Sequence, residues 1–333
     1  MTGTVTRVEG AAERRDGVLR IGTRGSALAV AQTTAVAESI ARATGVDVEL
    51  VTVTTHGDVS RESLSELGGT GVFATALRDA LRAGEVDLVV HSLKDLPTAP
   101  APGLVIGAIP KRADARDTLV ARDGLTLDTL PEGAKVGTGS PRRVAQLKAQ
   151  RPDLDVIDLR GNVDTRVGKV TDGELDAVVL AAAGLGRLGR IDAVTDFFPL
   201  SLMPTAPGQG ALALEVRAGD EKGRSPIARA LAAVDHVTTH ASVVAERDVL
   251  AGLEAGCAAP IGATALVDDG LLFLTATVYR PDGSEHLTAS HAATPDSLGA
   301  AHLQEAAHDV GARVVAELLA AGAADLAPLG ESR

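Results

Sequence analysis

The sequence predicts an α/β protein: two similar units with mainly parallel sheets, followed by a small α+β region on a three-stranded antiparallel sheet. Three observations carry this. Short apolar runs alternate with helix-like segments twice over, in 19–97 and again in 134–187, the grammar of βαβ units. Beyond Pro204 three runs follow, near 262–267, 271–279 and 285–291. Asp269-Gly270 and Pro281-Asp-Gly283 separate them, and such turns join antiparallel strands. Lastly, arginines and a lysine recur just after the apolar runs, where open α/β sheets bind ligands.

In chain order, residues 1–17 are polar and charged, and are expected to be a disordered leader with no apolar signal segment. Leu19–Arg24 reads as a strand. Gly25-Ser26 turns it into an Ala-rich helix from Ala27 to Ala43 that stops near Gly45. Val48–Val53 is the next strand. Gly68-Gly-Thr-Gly71 opens a helix over Val72–Ala83, and Val86–Val90 is a short strand. It runs into His91-Ser-Leu-Lys-Asp-Leu-Pro97, which breaks at the proline. A domain boundary is expected within 100–118.

The second unit repeats the pattern. Ala134–Gly137 is a strand, and Ser140 with Pro141 starts a helix, a good N-cap followed by the residue suited to the first helical position. Leu154–Leu159 and Leu175–Leu180 are strands, each followed by a turn and a helix. Ala211–Val216 is apolar and strand-like, a helix spans about Val237 to Leu250, and a last one runs from about Ser297 to Ala321.

Composition narrows the chemistry. A net charge of −12 argues against nucleic acid and anionic membranes as partners. Aromatics make up 2% with no Trp, so base-stacking platforms are scarce. One cysteine excludes an internal disulfide and a Cys-cluster zinc site, and no run is apolar enough to span a membrane. His236 and His240 lie four apart, but with no third ligand nearby no metal is expected. The expected compartment is the cytoplasm.

Against that acidic background, Arg24, Lys94, Arg142, Arg143, Arg160, Arg166 and Arg187 each lie in or just beyond the loop after a strand. Arg142 and Arg143 occupy a first helical turn, where the dipole disfavours cations, so a bound anion would offset their repulsion. Arginine suits bidentate carboxylate or phosphate capture. Singly, each is a solvated or salt-bridged residue as readily as a ligand; their joint placement marks a polyanion site. Asp95 sits beside Lys94 in this set. A carboxylate there either caps the next turn or works on a proton or a developing cation. Cys257, between Gly256 and Ala258 and close to Pro260, is either a small buried hydrophobe or a nucleophile or attachment point. An anion receptor of similar architecture would need neither residue. A phosphate-handling transferase would need a metal-binding carboxylate pair, which is not evident.

Several ordered stretches together resemble the porphobilinogen deaminase (hydroxymethylbilane synthase) family over about 19–325. They are Arg20-Ile-Gly-Thr-Arg-Gly-Ser26, His91-Ser-Leu-Lys-Asp-Leu-Pro97, Gly137-Thr-Gly-Ser-Pro-Arg-Arg143, Leu159-Arg-Gly-Asn-Val-Asp-Thr-Arg166, Leu180–Gly189, Pro207-Gly-Gln-Gly-Ala211 and Gly256-Cys257. The resemblance implies a transferase that condenses four porphobilinogen molecules head to tail, with loss of ammonia, into the linear tetrapyrrole hydroxymethylbilane. It implies a dipyrromethane cofactor joined by a thioether to Cys257, and Asp95 as the catalytic carboxylate. Arg24, Arg142, Arg143, Arg160, Arg166 and Arg187 would hold acid side chains, with contacts from Ser26, Lys94, Thr138, Ser140 and Gln209. It implies a monomer and two periplasmic-binding-protein-like domains, 18–112 with 207–228 and 113–206. The small third domain, 229–333, would carry the cysteine. Three positions depart from the family's usual pattern: Thr70 for a lysine, Gly139 for a serine and Ala255 for a glycine.

Overall fold

In a computed structural model, residues 3–9, 15–53, 71–256, 259–327 and 329 are described. The chain divides into two compact units, Met1–Arg112 with Ala211–His240, and Ala113–Gly210 with Ala241–Ser332.

The first unit is built on six strands: β1 (Val5–Glu9), β2 (Val18–Thr23), β3 (Asp47–Thr52), β4 (Leu88–Ser92), β5 (Leu104–Ala108) and, from the returning segment, β11 (Leu212–Arg217). Their order is β1-β3-β2-β4-β11-β5. The first four run parallel. β11 is antiparallel to both neighbours, with Leu212 opposite Ser92 and Val216 opposite Val105. Helix α1 (Ala27–Thr44) starts at Ser26, whose side chain accepts the Ala29 N–H at 3.4 Å, and ends at Gly45 with φ 72°, a left-handed stop that suits glycine. Its Val36, Ala37 and Ile40 pack on Leu19, Ile21, Leu50 and Leu88. Helix α2 (Gly71–Arg82) sets Leu77 and Leu81 against Val51 and Val89.

Residues 1–17 are not wholly the disordered leader expected. Val5–Glu9 forms β1 at the sheet edge, paired in parallel with Val48–Thr52, and Val5 packs against the core. Its β-branched Val and Thr favour a strand, while its charges suit an edge; the charge of the whole segment hides this short strand.

The second unit holds β6 (Asp117–Ala121), β7 (Lys135–Gly137), β8 (Asp155–Ile157), β9 (Ala177–Ala181) and β10 (Asp196–Phe197) in the order β10-β6-β9-β7-β8. β7, β8 and β9 are parallel, and β6 is antiparallel to β9 and β10. Helices α3 (Pro141–Gln150), α4 (Val163–Thr171) and α5 (Ala182–Arg187) follow β7, β8 and β9. Helices α6 (Pro226–Val234) and α7 (Val237–Gly252) come next; α6 belongs to the first unit and α7 runs out of it into the second. The three C-terminal runs are β12 (Ile261–Asp268), β13 (Leu271–Tyr279) and β14 (His286–Ala293), an antiparallel meander clustering with this second unit. Asp269 and Gly270 have φ 45° and 79°, the positive pair a tight hairpin needs. Helix α8 (Ala300–Ala320) covers β13 and β14 with Leu303, Val310, Val314 and Leu318.

Candidate active site

In the first unit the site forms where β4 runs out. Leu93 donates its N–H to the Ala211 carbonyl at 3.1 Å, which draws the chain into a single 3-10 turn, Leu93–Asp95. Leu93 and Leu96 are buried, and of the two residues between them Lys94 is half-buried and Asp95 exposed. Among the described residues its carboxylate makes no hydrogen bond or ion pair, so it does not cap the following turn. It lines a pocket with Arg24, Gln32, His91, Ser92 and Leu96. Arg24 and Lys94 are half-buried. Ser26 is close in sequence, but its hydroxyl is engaged as the α1 cap.

In the second unit the N-terminus of α3 is built as the sequence requires. Ser140 accepts the Arg143 N–H at 3.5 Å, Pro141 occupies the first turn, and buried Thr138 accepts the Ser140 N–H at 3.3 Å. The two arginines then depart from the expected anion pocket. Both are buried and turn onto Asp117, the wholly buried first residue of β6. Arg143 pairs with Asp117 Oδ1 at 2.6 Å and Arg142 with Oδ2 at 2.8 Å. Arg142 also donates to Gln146 at 2.7 Å and to the Pro204 carbonyl at 3.0 Å, which makes it a packing residue of this unit. Gln209 is likewise buried: its amide donates to Asp117 at 2.8 Å and to the Ala115 carbonyl at 2.7 Å. Burial alone would raise the Asp117 carboxyl, but the two guanidiniums and Gln209 outweigh it and hold it far below the usual carboxylate range.

The charges in this cluster do not cancel. One aspartate faces Arg142 and Arg143, leaving one excess positive charge in the interior. Arg166, half-buried, donates to the Gly161 carbonyl at 2.8 Å; burial and its like-charged neighbours Arg143 and Arg160 pull its pKa down. Arg160 is exposed, 3.4 Å from Asp158. Arg187 donates to the Gly210 carbonyl at 2.7 Å, and burial pushes it down to about 10. Among the described residues no carboxylate pairs with Arg166 or Arg187. Arg143 is held as firmly as Arg142, since its remaining Nη1 donates to the Val179 carbonyl at 3.0 Å. Desolvated guanidiniums without a carboxylate are costly unless an anion joins them, so Arg166 and Arg187, with exposed Arg160 beside Arg166, fit a ligand with several carboxylates. Cys257 and Thr70 lie outside the described residues.

Sequence reading missed two carboxylates that hold this arrangement. Asp117 starts a strand that was not anticipated. Glu246, fully buried on α7, accepts the Gly208 N–H at 2.7 Å and the Ala265 N–H at 2.8 Å, tying the Gln209 loop to β12. Asp117, at the head of the apolar run Thr118-Leu-Val-Ala121, was the available signal; Glu246 gave none, since an acidic residue on a helix is usually solvated.

Two regions of the chain match family models. Residues 19–225 match "Porphobilinogen deaminase, dipyromethane cofactor binding domain", and residues 240–320 match "Porphobilinogen deaminase, C-terminal domain". The chain belongs to the porphobilinogen deaminase family. A porphobilinogen deaminase from Leifsonia xyli subsp. xyli is 81% identical over 96% of this chain and 98% of its own length. One from Thermobifida fusca is 56% identical over 87% and 92%. Among solved structures, immunogenic lipoprotein A from Vibrio vulnificus covers 65% of this chain and 94% of its own at 12% identity, with a TM-score of 0.42.

One departure from the deaminase pattern has a steric basis. A Cβ at Gly139 would lie 2.6 Å from the Leu159 carbonyl oxygen, a backbone atom. Gly139→Ser, which restores the residue usual in the family, is therefore expected to destabilise the protein by about 1–3 kcal/mol. Denaturant unfolding checks this; an unchanged midpoint would show that β7 and Leu159 can separate freely.

Proposed function

We propose that this deaminase carries out its family's reaction with Asp95 as the charged group at the reacting ring. The reaction is that of a hydroxymethylbilane synthase, a transferase: four porphobilinogens join head to tail, each losing ammonia, and water releases the linear hydroxymethylbilane. When porphobilinogen, its aminomethyl group protonated, loses ammonia, the C–N bond breaks with its electron pair on nitrogen, and the positive charge passes to the carbon fragment and spreads over the pyrrole. A carboxylate facing that ring lowers the barrier because its attraction grows as the charge develops. The observation that carries this assignment is the exposed Asp95 carboxylate, without a partner among the described residues, in a pocket shared with Arg24.

The dipyrromethane cofactor supplies, when bound, the pyrrole on which the chain is extended. Its acetate and propionate arms suit Arg160, Arg166 and Arg187, while Arg143, engaged with Asp117, braces the helix start behind them. Arg24, Ser26, Lys94, Thr138 and Ser140 add polar contacts, and Cys257 is the thioether residue. A covalent anchor keeps each intermediate in place between additions. Arg166→Ala is expected to loosen the elongation intermediates, so that they dissociate during native mass spectrometry, whereas Arg142→Ala lowers stability without that loss. Equal loosening by both changes would return Arg142 to the ligand set.

Incubation with porphobilinogen should yield ammonia, a linear tetrapyrrole and a polypeptide heavier than its translated formula. No turnover by cofactor-loaded protein would favour an anion receptor instead. The protein is further read as a cytoplasmic monomer. Its charge of −12 opposes nucleic acid and anionic membranes, and a sole cysteine that must stay a thiol until alkylated suits a reducing compartment. Sedimentation at the mass of two chains would refute the monomer.

A further inference from the structure

We propose that His91 is a second catalytic residue, the acceptor of the proton that each condensation releases in the Asp95 pocket. The proposal rests on reading that pocket as the place of condensation. His91 lies on β4 opposite Ala213, and Glu215 lies on β11 opposite Val89, so the two side chains are diagonal neighbours on one face of the sheet. The imidazole Nε2 is 3.2 Å from Glu215 Oε2. Arg78 of α2 grips the same carboxylate, with Nε at 3.0 Å and Nη2 at 2.9 Å. Burial would raise the Glu215 carboxyl, but His91 and Arg78 together hold it below its ordinary value, so Glu215 is an anion and can only accept. Nε2 must therefore carry a hydrogen, and we take the ring before condensation as neutral, with Nδ1 as its base.

Among the described residues Nδ1 has no hydrogen-bond partner, while the ring borders the pocket alongside Arg24 and Asp95. A buried histidine serving packing alone has no need to border a pocket beside Arg24 and Asp95 with a clamped carboxylate behind it. This is the arrangement by which a carboxylate fixes an imidazole's tautomer and steadies the imidazolium once it forms. The chemistry needs such a group. Asp95 must stay ionised to face a developing cation, so it is a poor place to leave a proton. Each added unit costs one C–N bond, which releases ammonia, and one pyrrole α-C–H bond, whose electron pair returns to the ring. His91 Nδ1 takes that proton. The resulting imidazolium is held by Glu215 until it passes the proton to the released ammonia, which departs as ammonium.

The test uses cofactor-loaded protein, verified by intact mass, with His91→Gln, and porphobilinogen deuterated at its free α-carbon. Chain extension is expected to slow on the order of 10²-fold and to show an isotope effect absent from the parent. Ammonia release in the first turnover persists. Asp95→Asn abolishes that ammonia release itself, so failure of the Asp95 reading and failure of the His91 reading give different results. Nitrogen NMR of histidine-labelled parent protein, assigned by the signals lost in His91→Gln, should show the Nε2–H tautomer. Parental extension rates without an isotope effect, ammonia release lost as fully as in Asp95→Asn, or an Nδ1–H tautomer would each overturn the proposal.

Discussion

Asp95→Asn is expected to keep the cofactor thioether and to lose turnover by on the order of 10³-fold or more. Asparagine reproduces the size of the side chain and removes only its charge. Because Asp95 is exposed on a turn anchored by buried Leu93 and Leu96, and has no partner among the described residues, folding does not depend on its carboxylate. The loss should therefore fall on the chemical step. Intact mass spectrometry reports whether the cofactor is attached, and rapid-quench assays of ammonia and tetrapyrrole report the chemistry. Near-parental turnover in a cofactor-loaded variant would strip Asp95 of its role.

Asp117→Asn should behave in the opposite way, acting first on stability. The substitution leaves the buried guanidiniums of Arg142 and Arg143 without their counterion, and breaking a buried ion pair from one side costs about 3–5 kcal/mol. Gln209 would also lose an acceptor, loosening the loop through Gly208 and Gly210. The same group sets an acid dependence. The folded Asp117 carboxyl titrates below its unfolded value, so its stabilisation is complete above the unfolded pKa and disappears as pH falls through the folded one, below the ordinary carboxylate range. Denaturant unfolding of parent and variant across the acid range should converge at the lowest pH at which the parent still folds. Parallel curves would assign the stability to other carboxylates.

Local signals were the legible ones. Ser26, Gly45, Ser140 and Asp269-Gly270 each did what their side chains or backbone freedom dictate, and the three C-terminal strands fell close to the runs that announced them. Short elements in apparently linking stretches were not seen: β5 lies in the region read as a boundary and β6 straddles its end, β10 has two residues, and helix α6 follows a glycine-rich turn. Their pairings, β5 with β11 and β6 with β9, are non-local and leave no periodic trace. The site divides along the same line. Arginines after strands were visible as a set, but Arg142, Arg143 and Gln209 are spent on Asp117, because a partner 25 residues upstream of Arg142 cannot be read from spacing. His91 stood in plain view inside a motif; its partner Glu215 lay across a strand pairing that only the folded chain provides.

The insertion of β11 between β4 and β5 bears on how the polypeptide is made. On a ribosome, residues up to 108 emerge long before Leu212–Arg217, yet β5 has no neighbour until that late segment arrives. The amino-terminal half must wait, its β4 flank open to mispairing with other nascent chains, while everything needed for the sheet of 117–197 has already been translated. Synthesis thus runs ahead of assembly for one half of the molecule and in step with it for the other. Premature stop codons before 212 should yield insoluble fragments whatever the fate of the downstream sheet.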